Sequence, residues 1–250
     1  MQRYFVPENN WTEDYAAITS DDVHHIINVM RMDVGAEIIC NHPRGKAALC
    51  EIIAVSKDQI DVKINKWLEE TVELPINVTI VQGLPKGDKL EWVIQKGTEL
   101  GAVEFIPFQA KRSIVKLDAK KAEKKLIRWQ KIAKEASEQS HRTVIPTITP
   151  VKKLQEILDL RENYDVTLIA YEEEARSSNP VMLYDHLNNI SKESKVLLCI
   201  GPEGGFSEEE IEAFKQNKFE FVRLGRRILR TETAASYFLS CVSFYFEEMR

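Results

Sequence analysis

Two short segments combine glycines, cations and carboxylates in a way that suits a ligand site. The first is Ile200-Gly201-Pro202-Glu203-Gly204-Gly205-Phe206, followed by Ser207-Glu208-Glu209-Glu210. Glycines permit positive φ and let a ligand approach the backbone closely. The spacing from Ser207 to Glu210 has the form of a capping box, so the whole reads as strand, glycine-rich turn, helix. A phosphate loop would carry Lys and then Ser or Thr after the glycines, and a dinucleotide site would read G-x-G-x-x-G. Neither pattern is present, and the loop carries Glu203 instead, which fits a ligand without phosphates better. A purely structural turn is the rival reading.

The second segment is Leu224-Gly225-Arg226-Arg227-Ile228-Leu229-Arg230-Thr231-Glu232-Thr233-Ala234. It joins a short strand to the apolar last helix, with Thr231 or Thr233 as the expected cap. A cation and a carboxylate, Arg230 and Glu232, lie close together beyond a strand's carboxyl end and beside another glycine. That arrangement suggests a site, and structural salt bridging is its rival.

Both segments need a scaffold that presents strand ends. From Val78 onward, β-branched runs alternate with helical patterns: strands at 78–81, 103–108, 143–148, 166–171, 195–200 and 220–224, and helices at 88–100, 118–139, 151–158, 181–188, 208–216 and from Ala234. Such alternation predicts an α/β domain with a mostly parallel sheet covered on both faces, whose ligands bind beyond the carboxyl strand ends. The first 70 or so residues are different. They predict a short helix at 21–31 and strands near 37–40, 47–55 and 59–64, as in a small barrel or half-barrel. The expected division is residues 1–72 and 73–250, with the join at Glu69 to Pro75. The last helix carries apolar groups on all sides (Ala234, Tyr237, Phe238, Leu239, Cys241, Phe244), which suggests burial on several sides, either inside the domain or with one face against a second copy of the chain, the dimer being the favoured reading.

The formal net charge is −5, but its distribution is uneven. Lys111 to Lys134 holds ten cations and two anions, Arg223, Arg226, Arg227 and Arg230 form a second cluster, and acidic runs lie at 172–174 and 208–210. An acidic protein with a basic face still binds RNA, because a polyanion responds to local potential; a solvated helix face is the bland alternative. Cys40, Cys50, Cys199 and Cys241 form no C-x-x-C pair and read as thiols of a reducing compartment, with no metal site implied. There is no signal-peptide pattern at the start and no run approaching the roughly 20 apolar residues of a membrane span, so a cytoplasmic protein is expected.

The two loops closely resemble the signature loops of the SPOUT methyltransferases. The chain as a whole resembles the ribosomal RNA small subunit methyltransferase E family, whose members make N3-methyluridine in 16S rRNA. The likeness runs nearly end to end. It includes Arg3-Tyr4-Phe5, His25 to Arg31, Lys86-Gly87-Asp88-Lys89, Gln95 to Gly101, Arg112-Ser113 and Glu138-Gln139-Ser140-His141-Arg142, with His141 where a smaller residue is expected. The resemblance implies a PUA-like N-terminal RNA-binding domain, a SPOUT C-terminal domain threaded into a trefoil knot, and a homodimer. It implies S-adenosylmethionine as cofactor, held by Gly201, Glu203, Gly204, Gly205, Leu224, Gly225, Ile228, Leu229, Thr233 and Ala234. The implied partner is 16S rRNA within the small ribosomal subunit, contacted by Arg3, Arg31, Lys96, Arg112, Gln139 and Arg142, with Tyr4 and His25 as further candidates; for His25 alone, a buried or partner-bonded ring is the favoured reading.

Methylation of uracil N3 needs removal of its proton and a donor near the flanking carbonyl oxygens, where charge accumulates. Arg230 is the candidate cation and Glu232 the candidate base, with orientation of Arg230 as the alternative role for Glu232. Glu203 would face the cofactor's amino group or sulfur. Three other readings fit the same chain: a SPOUT enzyme for another RNA or base atom, an RNA-binding assembly factor without catalysis, and a small-molecule transferase.

Overall fold

The computed structural model describes residues 1–69, 72–172 and 181–249, so the acidic run at 172–174 lies outside it beyond Glu172. The chain forms two compact units, Met1–Glu73 with Ser137–Ile145, and Leu74–Ala136 with Pro146–Arg250.

The first unit is a curled five-stranded sheet of β1 (Arg3–Phe5), β2 (Tyr15–Thr19), β3 (Glu37–His42), β4 (Lys46–Val55) and β5 (Gln59–Leu68), in the order β1-β3-β4-β5-β2. Only the β1–β3 pair is parallel. Period-two alternation builds its core: Ile60 and Val62 of β5 are buried, whereas Gln59 and Lys63 are exposed. Ile18, Ile38, Cys40, Ala48, Cys50 and Ile52 complete the same cluster. The helix expected at 21–31 is a single turn, α1 (Asp21–His24), running into a wider turn at His25–Val29 that puts Ile26 in the core. β1 and β2, absent from the sequence reading, are the two sheet edges.

Glu73 fastens the returning segment 137–145 to this unit. Its Oε2 accepts from Arg142 Nε at 2.8 Å and from Arg142 Nη2, and its Oε1 accepts the Thr143 and Val144 N–H groups at 3.0 and 3.2 Å. With those amides taken by a carboxylate, the strand expected at 143–148 shrinks to Thr147–Ile148.

The second unit runs β6 (Asn77–Gly83), α2 (Lys89–Glu99), β7 (Glu104–Phe108), α3 (Ala119–Gln139, its last turn counted with the first unit), β8 (Thr147–Ile148), α4 (Leu154–Leu158), β9 (Val166–Ala170), α5 (Leu183–Asn188), β10 (Lys195–Ile200), α6 (Glu208–Gln216), β11 (Glu220–Val222) and α7 (Thr231–Ser243). The sheet order is β11-β9-β10-β6-β7-β8, and every pair is parallel. Strands buried on both faces read as continuous apolar runs, and Val196 to Ile200 is one. The chain leaves β6 towards β7 and β8, then returns to the other side with β10 beside β6. The order in which strands are added therefore reverses between β6 and β10, where α/β sheets open a crevice for ligands.

Candidate active site

The two glycine loops converge at that switch point. Gly201 to Phe206 follows β10, and Ser207 caps α6 as its spacing predicts: Ser207 Oγ accepts the Glu210 N–H at 3.3 Å, and Glu210 Oε2 accepts the Ser207 N–H at 2.8 Å. The other oxygen of Glu210 accepts the Lys111 N–H at 2.7 Å, so one buried carboxylate also holds the loop bearing Arg112. Gly205 takes φ +66°, and a Cβ built there would meet nothing within 4 Å, which leaves its backbone open to a ligand. Gly83 is required for the opposite reason. A Cβ on it would lie 2.5 Å from Pro202 N and Cδ, so the end of β6 sets bare backbone directly against the loop.

The second loop is tied to the first through Thr231. Its Oγ1 donates to Gly201 O at 2.6 Å and accepts from the buried Gln82 Nε2 at 2.7 Å. The cap of α7 is therefore not Thr231 or Thr233. Arg230 holds the N-cap position with extended backbone, its carbonyl accepting the Thr233 and Ala234 N–H groups. Thr231 is spent joining the loops, and that pairing across 149 residues leaves no local trace in sequence.

Between the loops lies a cleft of about 480 Å³, a size typical of small-molecule sites. Gly201, Glu203, Gly204, Gly205, Leu224, Gly225, Ile228, Leu229 and Ala234 all line it, as do Arg230 and Glu232. Thr233 does not; it is exposed on the first turn of α7. Arg112 also lines the cleft, its Nη1 donating to Gly204 O at 3.2 Å.

Lys89, at the start of α2, is a cleft residue that the sequence reading did not assign, although Lys86-Gly87-Asp88-Lys89 stood out as a motif. Its Nζ lies 2.8 Å from Glu203 Oε1 and 3.5 Å from Glu232 Oε2. Lys86 N–H donates to the same Glu203 oxygen at 3.2 Å. Burial alone would raise the Glu203 carboxyl, but the Lys89 bond and the backbone N–H donors outweigh it and hold the group below its usual range. Lys89 is correspondingly raised, chiefly by its bond to Glu203.

The expected RNA contacts divide. Arg31, Arg112 and Gln139 are exposed, and Lys96 is partly exposed beside Glu99 at 2.8 Å. Arg3 and Arg142 are 4% and 2% exposed, and Arg142 is held by Glu73. Both belong to the interior of the first unit, which corrects their reading as phosphate contacts. Tyr4 is buried as well, its hydroxyl 3.0 Å from His25 Nδ1, so that pair is structural. On α3, Lys120 and Lys124 are exposed, while Arg128 Nη2 reaches Glu91 at 2.6 Å.

An all-parallel sheet with two glycine loops meeting at its switch point, joined to a PUA-like half-barrel, has the SPOUT fold of RNA methyltransferases. The RNA methyltransferase domain family matches residues 72–243, and the RNA methyltransferase PUA domain family matches residues 18–65. The chain is 48% identical to ribosomal RNA small subunit methyltransferase E of Bacillus subtilis, over 100% of this chain and 99% of that protein. It is 31% identical to the protein of the same name in Mesomycoplasma hyopneumoniae, over 96% and 98%. A solved structure of ribosomal RNA small subunit methyltransferase E from Neisseria gonorrhoeae, bound to S-adenosyl methionine, superposes with a TM-score of 0.85 at 29% identity, covering 98% of each chain. The chain belongs to the ribosomal RNA small subunit methyltransferase E family.

Proposed function

We propose that this protein transfers a methyl group from S-adenosylmethionine to N3 of one uridine in 16S rRNA of the small ribosomal subunit. The observation that carries the reading is the cleft itself: two glycine loops joined through Thr231, with Arg230, Glu232 and Lys89 among its lining residues. The residues fit the cofactor. Open backbone at Gly205, apolar walls from Leu224, Ile228 and Leu229, and the Glu203 carboxylate suit an amino-acid and nucleoside ligand that carries no phosphate. S-adenosylmethionine supplies a methyl group on a positive sulfur when bound.

The chain's own residues prepare the acceptor. N3 lies on the Watson–Crick edge, so the uridine enters unpaired or turned out of its stack. Arg230 donates to the carbonyl oxygens flanking N3, where charge gathers as the proton leaves. Glu232 takes that proton directly or through water, or else orients Arg230. Arg31, Lys96, Arg112 and Gln139 hold RNA around the target, together with the exposed lysines of α3.

The protein acts as a homodimer, a reading supported by α7. Its stripe of Ala234, Ala235, Phe238, Leu239 and Val242 is buried, yet Tyr237 and Cys241 remain partly open and Phe244 is 59% exposed. The tie from Thr231 to Gly201 is consistent with a trefoil-knotted path through the same loops. The protein works in the cytoplasm, where its ribosomal substrate would be; among the described residues no helix is long and apolar enough to cross a membrane.

The test uses 30S subunits from cells lacking this protein, incubated with purified protein and methyl-labelled cofactor. Mass spectrometry of nuclease fragments should find one N3-methyluridine in 16S rRNA. Label on another base or RNA would move the substrate while keeping cofactor and fold. Absence of both label and cofactor binding would favour the assembly-factor reading.

A further inference from the structure

Three aromatic side chains of the first unit gather at the ends of β3 and β5, and none lines the cleft. Trp11 and Trp67 stack with ring centroids 5.5 Å apart and planes 25° from parallel. His42 lies 5.1 Å from Trp11 and meets Trp67 edge-on at 6.3 Å. Their strand positions explain the meeting. Trp67 stands opposite the buried Ala48, and His42 lies two residues beyond the buried Cys40, so both fall on the core-facing side where the core ends. Trp11 packs against the core and donates its indole N–H to Val6 O at 3.0 Å, which fixes the ring. Trp67 remains 42% exposed.

The His42 ring is also oriented. Its Nδ1 accepts the Arg44 N–H at 3.1 Å, so in the neutral ring the proton sits on Nε2, as a donor beside the indoles. The surroundings are cationic. Arg44 is 75% exposed while paired with Glu8, and the exposed Lys46 stands opposite His42. A fixed aromatic face, a ring N–H donor and a rim of cations together match an unpaired nucleobase and its phosphates.

We propose that Trp67, backed by Trp11 and edged by His42, is a second RNA site that stacks one unpaired base of the substrate, apart from the target uridine. The proposal rests on RNA being the substrate. It also gives the first unit an RNA-facing surface in place of Arg3 and Tyr4, which are buried.

The test measures binding of fluorescein-labelled octaadenylate to the full-length protein by anisotropy at low salt. This RNA contains no uridine, so the measurement is independent of methyl transfer. Stacking of one base on an aromatic ring predicts that Trp67→Ala weakens binding about tenfold. Trp67→Phe should stay within about threefold of wild type, because a phenyl ring retains a stacking face. The same Trp67→Ala protein should show a raised KM for 30S subunits at unchanged S-adenosylmethionine affinity. Equal binding by Trp67→Ala and wild type, or no binding by wild type, overturns the proposal. Equal weakening by Trp67→Phe, with an unfolding midpoint like that of wild type, assigns the rings to packing and overturns it too. Methyl transfer to 16S rRNA with unaltered octaadenylate binding would sink this site and leave the enzymatic reading standing.

Discussion

Lys89 shares one ammonium between Glu203 and Glu232, and so couples the two carboxylates of the cleft. Replacing it with Met would leave Glu203 partly desolvated without the ammonium that holds it charged, and the carboxyl would titrate at a higher pH. The sign follows from linkage. A carboxyl depressed in the folded protein contributes above its ordinary value, and the contribution fades as pH falls through the lowered one. Lys89→Met should therefore shift the acid limb of the pH–rate profile upward and weaken cofactor binding; superimposable acid limbs would remove Lys89 from the site's electrostatics. Arg230 makes a different prediction. Loss of a donor to developing charge typically costs about a hundredfold or more in turnover, so Arg230→Ala should fall by that order while binding S-adenosylmethionine within about twofold of wild type. Single-turnover kinetics with calorimetry separates the two quantities, and unchanged turnover would exclude Arg230 from the mechanism.

Helix ends set the geometry of both functional regions. At α6 the capping box does more than finish a helix, because Glu210 also receives the Lys111 amide and thereby carries Arg112 to Gly204. At the end of α3, Arg142 N–H reaches Ser137 O at 2.9 Å and His141 N–H reaches Glu138 O at 3.4 Å, the bond pattern of a Schellman motif. His141 holds the position that glycine usually takes and sits at φ +63°. A side chain in that region is strained by about 1 kcal/mol. His141→Gly should therefore raise the stability of the first unit by about that amount in chemical denaturation. A lower midpoint would mean that the exposed imidazole makes a compensating contact. The unusual residue noted in sequence is thus a backbone matter, and His141 leaves the motif's bond pattern intact.

At the scale of the whole molecule, the first unit is assembled from two distant pieces of chain, and Glu73 is their fastening. Arg142 is 2% exposed, so removing its charge leaves a carboxylate in a partly buried site without its guanidinium. Breaking such a pair costs about 3 kcal/mol or more. Arg142→Met should lower the unfolding midpoint of the first unit markedly while sparing cofactor binding, since no cleft residue belongs to that unit. Hydrogen exchange of residues 137–145 would report the release directly, and unchanged protection there would contradict the fastening role. Charge is also arranged at this scale. The chain is acidic as a whole, yet Lys120 and Lys124 are exposed on one helix, and Arg44 and Lys46 lie beside His42 of the aromatic cluster.

Local rules in the sequence determined a good deal. The period of apolar residues marked the parallel α/β sheet and most of its helices, because alternation and helical periodicity are properties of neighbouring residues. The capping box at Ser207 was readable for the same reason. The first glycine loop pointed to a phosphate-free ligand through Glu203 and through the lack of a lysine directly after its glycines. Residues that act at a distance were not readable. Glu73 draws Arg142 across 69 residues and consumes the amides of a segment that otherwise reads as strand. Thr231 spends its hydroxyl on Gly201 instead of on its own helix, and Lys89 is brought to Glu203 across 114 residues. Trp11, His42 and Trp67 meet because β3, β4, β5 and β2 pair side by side. Hydrogen bonds and ion pairs between distant residues depend on how the strands are ordered, and residue spacing holds no record of that order.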